Sequence, residues 1–322
     1  MNEQGHTVEI AAPDIEPYRE GNTGVPFVAT LDSGTEGPHA LICALMHGNE
    51  ISGAVALDHL FRQGISPQRG RLTLMFANTA AYGLFDPAKP LASRYVDEDM
   101  NRLWSPEALD DANNSVERRR ARQLRPFIDA ADFVLDLHSM QTGRRPLHLS
   151  GPTDKGRVFA RRVGGAATIV SDVGHADGTR MRDYGRFNTP GTIQNALLAE
   201  CGPHWELQTA KTAVSTAYRF LSVLDLLSPD AVPEWLEDSP PAQTWIEITD
   251  RFVPETRQAS FARRFDGLDI VADAGTVIAW DGDREIRTPY DDCVLVMPAR
   301  RLLPGQTAVR LGRHRGFDID AG

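Results

Sequence analysis

The stretch Ala40-Leu41-Ile42-Cys43-Ala44-Leu45-Met46-His47-Gly48-Asn49-Glu50 decides how this chain is read. Its first seven residues are apolar without a break, the pattern of a strand buried on both faces. Beyond it, Ala54, Val55, Leu57, Leu60 and Phe61 recur at helical spacing, which starts a helix near Ile51. The polar turn His47-Gly48-Asn49-Glu50 therefore joins the carboxyl end of a strand to a helix, where ligand sites form in open α/β sheets. His47 and Glu50 are near enough for an imidazole nitrogen and a carboxylate oxygen to share one ion, and Gly48 is expected to let the backbone approach it. Nitrogen and oxygen donors together suit zinc better than calcium or magnesium. Alone, the pair has a plainer explanation, a polar strand end and a glutamate favoured by the helix dipole. The case rests on a third ligand.

At 322 residues the chain has room for one large domain, or for a large and a small one. Its 41% hydrophobic and 24% charged residues are ordinary for a globular protein. A net charge of −10 and the lack of a Lys/Arg stripe argue against nucleic acid as a partner. The densest basic run, Arg118-Arg119-Arg120, falls in a helical stretch and reads as a solvated face. Cys43, Cys201 and Cys293 match no metal spacing and read as apolar fillers in a reducing compartment. Met1 to Tyr18 is polar and acidic, unlike a signal peptide, and no window reaches the length of a membrane span. The expected setting is the cytoplasm, with no membrane partner.

Further strands are expected at Val8–Ala12 and Val25–Leu31, an early antiparallel pair, and at Arg71–Ala77, Phe133–Leu137, Leu147–Ser150, Ala167–Ser171 and Ile193–Cys201. Helices are expected over Asn114–Ile128, Gly156–Gly165 and Glu206–Leu227. Two long polar loops, Asn78–Leu103 and Asp172–Gly191, are of the kind that carries function. Ser228–Gln243, with four prolines and no period, reads as a linker. It divides a catalytic domain at residues 1–228 from a small β-rich domain at 244–322, with short strands near Trp245–Ile248, Val277–Trp280, Val294–Met297 and Ala308–Leu311. The expected class is α/β, a mixed and mostly parallel sheet with flanking helices, followed by a small all-β domain.

The third ligand candidate is His138, which continues the strand Phe133–Leu137, with Asp136 two residues earlier on the same side. His47, Glu50 and His138 form the two-histidine, one-carboxylate set of a catalytic zinc site, which keeps a position for water. Glu200 ends a further apolar strand, where a carboxylate must be paired, liganding or functional, because bare burial is costly. A structural salt bridge is its plain alternative. Finally, the loop Ser93-Arg94-Tyr95-Val96-Asp97-Glu98-Asp99-Met100-Asn101-Arg102 offers arginines suited to a planar carboxylate and an amide beside one of them. Its plain alternative is a solvated loop in which three acids offset two arginines.

In this order, the H-G-N-E turn, the R-Y-x-D-x-D-x-N-R loop, the strand ending D-L-H-S and the later E-x-G-P turn resemble the succinylglutamate desuccinylase/aspartoacylase family of zinc hydrolases. The resemblance runs from about residue 40 to 205. It implies a metallocarboxypeptidase-like fold and one zinc ion per chain on His47, Glu50 and His138. It further implies that Arg94 polarises the scissile carbonyl and that Asn101 and Arg102 hold the substrate's α-carboxylate. Glu200 would be general base toward the attacking water, then acid toward the leaving amine, and the β-rich domain would roof the site. Two departures stand out. Met140 follows Ser139 where many relatives carry threonine, and Phe187–Ala199 holds no basic residue where aspartoacylases place an arginine for the substrate's second carboxylate. Arg186 is the nearest upstream. His204 reads as a surface turn residue and Tyr290 as strand-edge packing, with a pocket role for either as the alternative.

The function expected is zinc-dependent removal of a short acyl group from an N-acylated amino acid or a similar small metabolite. Monocarboxylate or amine-bearing amino acids are expected over aspartate. A peptide-trimming metallocarboxypeptidase and a catalytically silent metabolite-binding relative are the rivals. The acyl group, the amine, the oligomeric state (a homo-oligomer included) and the exchange of zinc for cobalt, manganese or iron stay open.

Overall fold

The apolar run after His39 forms a strand buried at every residue, and the elements around it explain why. The computed structural model describes residues 7–141, 145–236 and 242–317. The strands and helices begin with β1 (Val28–Asp32), β2 (His39–Ala44), α1 (Ile51–Arg62), β3 (Arg71–Phe76), the short α2 (Thr79–Tyr82) and α3 (Pro106–Asp110), and α4 (Val116–Ala130). They continue with β4 (Phe133–Met140), β5 (Leu147–Leu149), α5 (Asp154–Val163), β6 (Thr168–Ser171), β7 (Asn195–Pro203) and α6 (Leu207–Val223). The later stretch adds β8 (Thr244–Phe252), β9 (Ala259–Phe261), β10 (Leu268–Val271), β11 (Val277–Asp281), β12 (Arg284–Arg287), β13 (Cys293–Val296) and β14 (Val309–Arg315).

One sheet runs in the order β1-β3-β2-β4-β7-β5-β6-β8-β14-β13-β10. Strands β3, β2, β4 and β7 are parallel neighbours. Helices cover both faces of this centre. Ala40, Ile42 and Ala44 pack with α1, α5 and α6, while Leu41 and Cys43 pack with α4. That is why β2 lacks a polar face; each fully buried Leu or Ile there contributes about 1.5–3 kcal/mol. From β2 the chain passes through α1 to β3 on one side, then through α4 to β4 on the other. The order therefore reverses between β2 and β4, and the crevice beyond their carboxyl ends is a topological switch point.

The expected strand at Val8–Ala12 does not form. Its described backbone is tied to the chain only where Glu9 N–H donates to Trp205 O, and Ile10 packs beside Trp205 and Ile51. The next strand begins at Val28, not Val25, because Pro26 has no N–H and Phe27 has φ +63°. It pairs antiparallel with β3. Arg118-Arg119-Arg120 is not simply a solvated face. Arg118 pairs with Glu98, and Arg120 donates to Ala77 O, Phe76 O and Pro26 O. Only Arg119 of the three is exposed.

The stretch from Thr244 is a later antiparallel β region. Phe252, Phe265, Ile278, Leu295 and Leu311 pack together within it, and β12-β11-β9 form a separate three-stranded sheet. Its other strands do not make a sheet of their own. β8 pairs in parallel with β6, from Thr168↔Thr244 to Ser171↔Glu247, so the central sheet continues through it. Residues 237–241, within the expected linker, and residues 142–144 lie outside the described residues. Among the described residues, no helix is long and apolar enough to cross a membrane. The three cysteines are buried free thiols.

Candidate active site

His47 and Glu50 follow β2, and His138 lies near the end of β4, on the two sides of the switch point. His47 Nδ1 is 2.8 Å from Glu50 Oε1, and His138 Nδ1 is 2.9 Å from Glu50 Oε2. The three side chains are buried, and their ligand atoms lie within 4.8 Å of one another. Two imidazole nitrogens and one carboxylate thus converge as a metal ion requires, and the donor chemistry fits zinc. Behind them, each remote ring nitrogen meets a carboxylate. His47 Nε2 is 2.9 Å from Asp99 Oδ1, and His138 Nε2 is 2.9 Å from Asp136 Oδ2. The second contact is close but off the hydrogen-bond line, so it acts mainly as charge. Carboxylates in these places orient metal-binding imidazoles and raise their basicity.

Burial opposes charge at Glu50, but His47 and His138 outweigh it and hold the carboxyl well below its ordinary range. Burial likewise opposes a charged His138, yet Asp136 and Glu50 push its pKa well above the usual imidazole value. Ser139 N–H adds a 3.0 Å hydrogen bond to Glu50 Oε2. Packing on its own requires glycine at position 48. A Cβ there would fall 2.4 Å from the backbone of Ala81 and Tyr82 and 2.6 Å from Ser93 O. The crowding comes from α2 and the following loop.

Glu200, in β7, is the Cα partner of His138. It is buried, and Oε2 has no hydrogen-bond partner among the described residues. Burial pushes its pKa up to about 8; His138 and Arg94 pull it down, and Glu50 and Asp136 push it further up.

In the 93–102 loop the acids have separate partners. Asp97 accepts from Val116 N–H at 2.8 Å. Glu98 takes Arg118 Nε at 2.8 Å and Ser115 Oγ. Asp99 takes Arg94 Nη2 at 3.0 Å and Asn101 N–H at 2.9 Å. Arg94 Nη2 also lies 2.9 Å from His47 Nε2. A proton on Nε2 can serve Asp99 but not Arg94, and an ion on Nδ1 would select that tautomer. Asn101 is buried and its Oδ1 accepts from Met181 N–H at 3.0 Å, so the group it offers a ligand is Nδ2. Arg102 Nε stands 3.2 Å from Asp177 Oδ2.

The second long loop is pinned from below by buried charge. Arg180 forks onto Asp172 at 2.6 and 3.1 Å, and Arg310 of β14 reaches the same carboxylate at 2.9 Å. Arg310 also donates to His175. Arg186 is exposed. His204 is buried, not a surface residue: its Nδ1 is 2.7 Å from Ser139 Oγ. Tyr290 bonds Thr249 at 2.5 Å and lies under the Arg313 guanidinium, within the β region. Asp177 and Ser139 escape a reading by residue type because their partners, Arg102 and His204, are distant in sequence. The D-x-D spacing before Asn101 is the one available signal for Asp99.

Together these features define an α/β protein with a candidate metal centre at the strand ends of its sheet. Residues 36–227 match the model of the succinylglutamate desuccinylase/aspartoacylase catalytic domain, and the chain belongs to that family. A probable aspartoacylase of Parasynechococcus marenigrum (strain WH8102) is 32% identical over 152 residues, 42% of this chain and 46% of that protein. An aspartoacylase of Xenopus tropicalis is 32% identical over 104 residues, 29% of this chain and 31% of that one. The matched stretches thus span under half the length of either relative. The solved succinylglutamate desuccinylase of Vibrio cholerae superposes with a TM-score of 0.70 at 15% identity, covering 91% of this chain and 88% of that one. That likeness is one of fold.

Proposed function

We propose that the protein is a zinc-dependent amidohydrolase that removes a short acyl group from an N-acylated amino acid or a related small metabolite. His47, Glu50 and His138 would hold one zinc ion, which supplies a Lewis acid for the amide carbonyl and lowers the pKa of water toward roughly 7. Glu200 takes the proton from the attacking water and returns it to the leaving nitrogen. Burial raises the pKa of Glu200, which suits the acid half of that exchange, and the charge of a bound ion would favour the carboxylate that the base half needs. Arg94 stabilises charge on the former carbonyl oxygen, while Asn101 Nδ2 and Arg102 hold the carboxylate beside the scissile bond. The β region from Thr244 roofs the pocket.

The observation that carries this reading is the placement of Glu200 opposite His138, beside the His/Glu/His set yet outside it. A metal-binding protein without turnover has no use for a buried carboxyl there. Arg310 and Arg251, from the β region, tie down the 172–191 loop beside Arg102, which supports a small substrate over a peptide. The test is metal analysis of the purified chain, then kcat/KM for acetyl, succinyl and longer acyl amides of several amino acids, with tripeptides alongside. About one zinc per chain and preference for short acyl groups are expected. Faster cleavage of tripeptides overturns the deacylase reading, and N-acetylaspartate as best substrate overturns the expected preference for monocarboxylates.

A further inference from the structure

Glu117 lies in the first turn of α4, fully buried, with no ion pair among the described residues. Its carboxylate is satisfied entirely by neutral donors. Oε1 accepts from Asn78 Nδ2 at 3.0 Å and Val96 N–H at 2.7 Å. Oε2 accepts from Asp97 N–H at 3.1 Å and Glu98 N–H at 3.3 Å. A carboxylate so far from water is costly unless its oxygens are hydrogen-bonded, and here each has two donors.

The donors belong to two segments that meet at the candidate active site. Three are consecutive amides lying between Arg94 and Asp99. The fourth belongs to Asn78, whose own N–H donates to Leu45 O, two residues before His47. Arg94 O in turn accepts from Gly48 N–H at 3.1 Å. Aiming three successive N–H groups at one point bends the chain sharply, and the bend brings Arg94 and Asp99 together on His47. The side chains of Asp97 and Glu98 also bond the same end of α4, but among the described residues it is Glu117 that takes the three backbone N–H groups of Val96, Asp97 and Glu98.

We infer that Glu117 is a positioning residue, which sets the 94–99 backbone so that Arg94 and Asp99 reach the metal-binding turn. The inference rests on the function proposed above for Arg94. Glutamate is required because glutamine, though nearly the same shape, would turn an –NH2 group toward at least one N–H donor.

The experiment compares Glu117→Gln, Arg94→Ala and the double variant in the full metal-loaded chain. Metal content, amide hydrogen exchange at Val96, Asp97 and Glu98, and kcat with KM for the best acyl amino acid are measured. In Glu117→Gln, exchange at the three amides should accelerate while metal stays near one per chain. kcat should fall about tenfold or more, as a misplaced catalytic group predicts. If Glu117 acts through Arg94, the double variant should be at most about twofold worse than Arg94→Ala; independent effects would multiply. Multiplied losses overturn the inference, as does unchanged exchange or loss of metal in Glu117→Gln. Should Glu117→Gln not fold, Glu117→Asp, which keeps the charge but retreats by one methylene, takes its place under the same criteria. Full activity in Arg94→Ala would overturn the functional reading instead, and the exchange measurement would still judge Glu117.

Discussion

Glu200 and His138 are direct partners across the parallel β4–β7 pairing, so a buried carboxyl and a buried imidazole leave adjacent strands on one face. Neighbouring strands fix their separation more firmly than a loop could. Glu200→Gln keeps the shape but cannot take a proton. Metal should stay bound while kcat falls by at least roughly a hundredfold. Loss of metal together with activity would place Glu200 among the ligands.

His138 is predicted to be indispensable to the metal, because its Nδ1 is one of only two imidazole donors in the converging set. His138→Ala should reduce metal content far below one per chain by elemental analysis. An active, fully loaded variant would remove His138 from the site.

The two arginines should fail differently. In the proposed role, Arg102 would hold a carboxylate present in substrate and transition state alike, so Arg102→Ala should chiefly raise KM. In its proposed role, Arg94 would meet charge that develops only during reaction, so Arg94→Ala should chiefly lower kcat. Identical kinetic patterns in the two variants would refute this division.

A pH effect on stability is predicted at His148, in β5, whose Cα partner is Ala199 of β7. Burial lowers its pKa from 6.5 to about 4. Between those values the unfolded chain takes up a proton that the folded chain refuses. The stabilisation is therefore complete above pH 6.5 and is lost as pH falls toward 4, by up to about 3 kcal/mol. His148→Leu, which cannot titrate, should lose less stability than the native protein between pH 7.5 and 5, read from urea midpoints. Parallel pH curves for the two proteins would exclude the effect.

The parallel centre of the sheet and the convergence of His47, Glu50 and His138 were legible because both rest on local signals. β2, β4 and β7 are unbroken apolar runs, and His47, His138 and Glu200 stand where those runs end. Hydrophobic period reveals which faces are buried but not which edge receives a later strand, so the β6–β8 pairing was not visible. In the 93–102 loop the acids looked like charge balance. The partners of Asp97 and Glu98 at 115–118 lie about twenty residues away and become neighbours only after α4 packs on the sheet, and Asp99 meets His47 from farther still. Glu117 was hidden for the same reason. Its glutamate looked like any other in the first turn of a helix.

The joining of β6 to β8 also has a consequence during synthesis. While residues 244–317 are still inside or near the ribosome, the emerging sheet ends at β6 with unpaired N–H and C=O groups. That interval is on the order of several seconds at ordinary translation rates. An open, apolar edge of this kind recruits stray strands. The stretch from Thr244 therefore covers an edge that the preceding strands leave open.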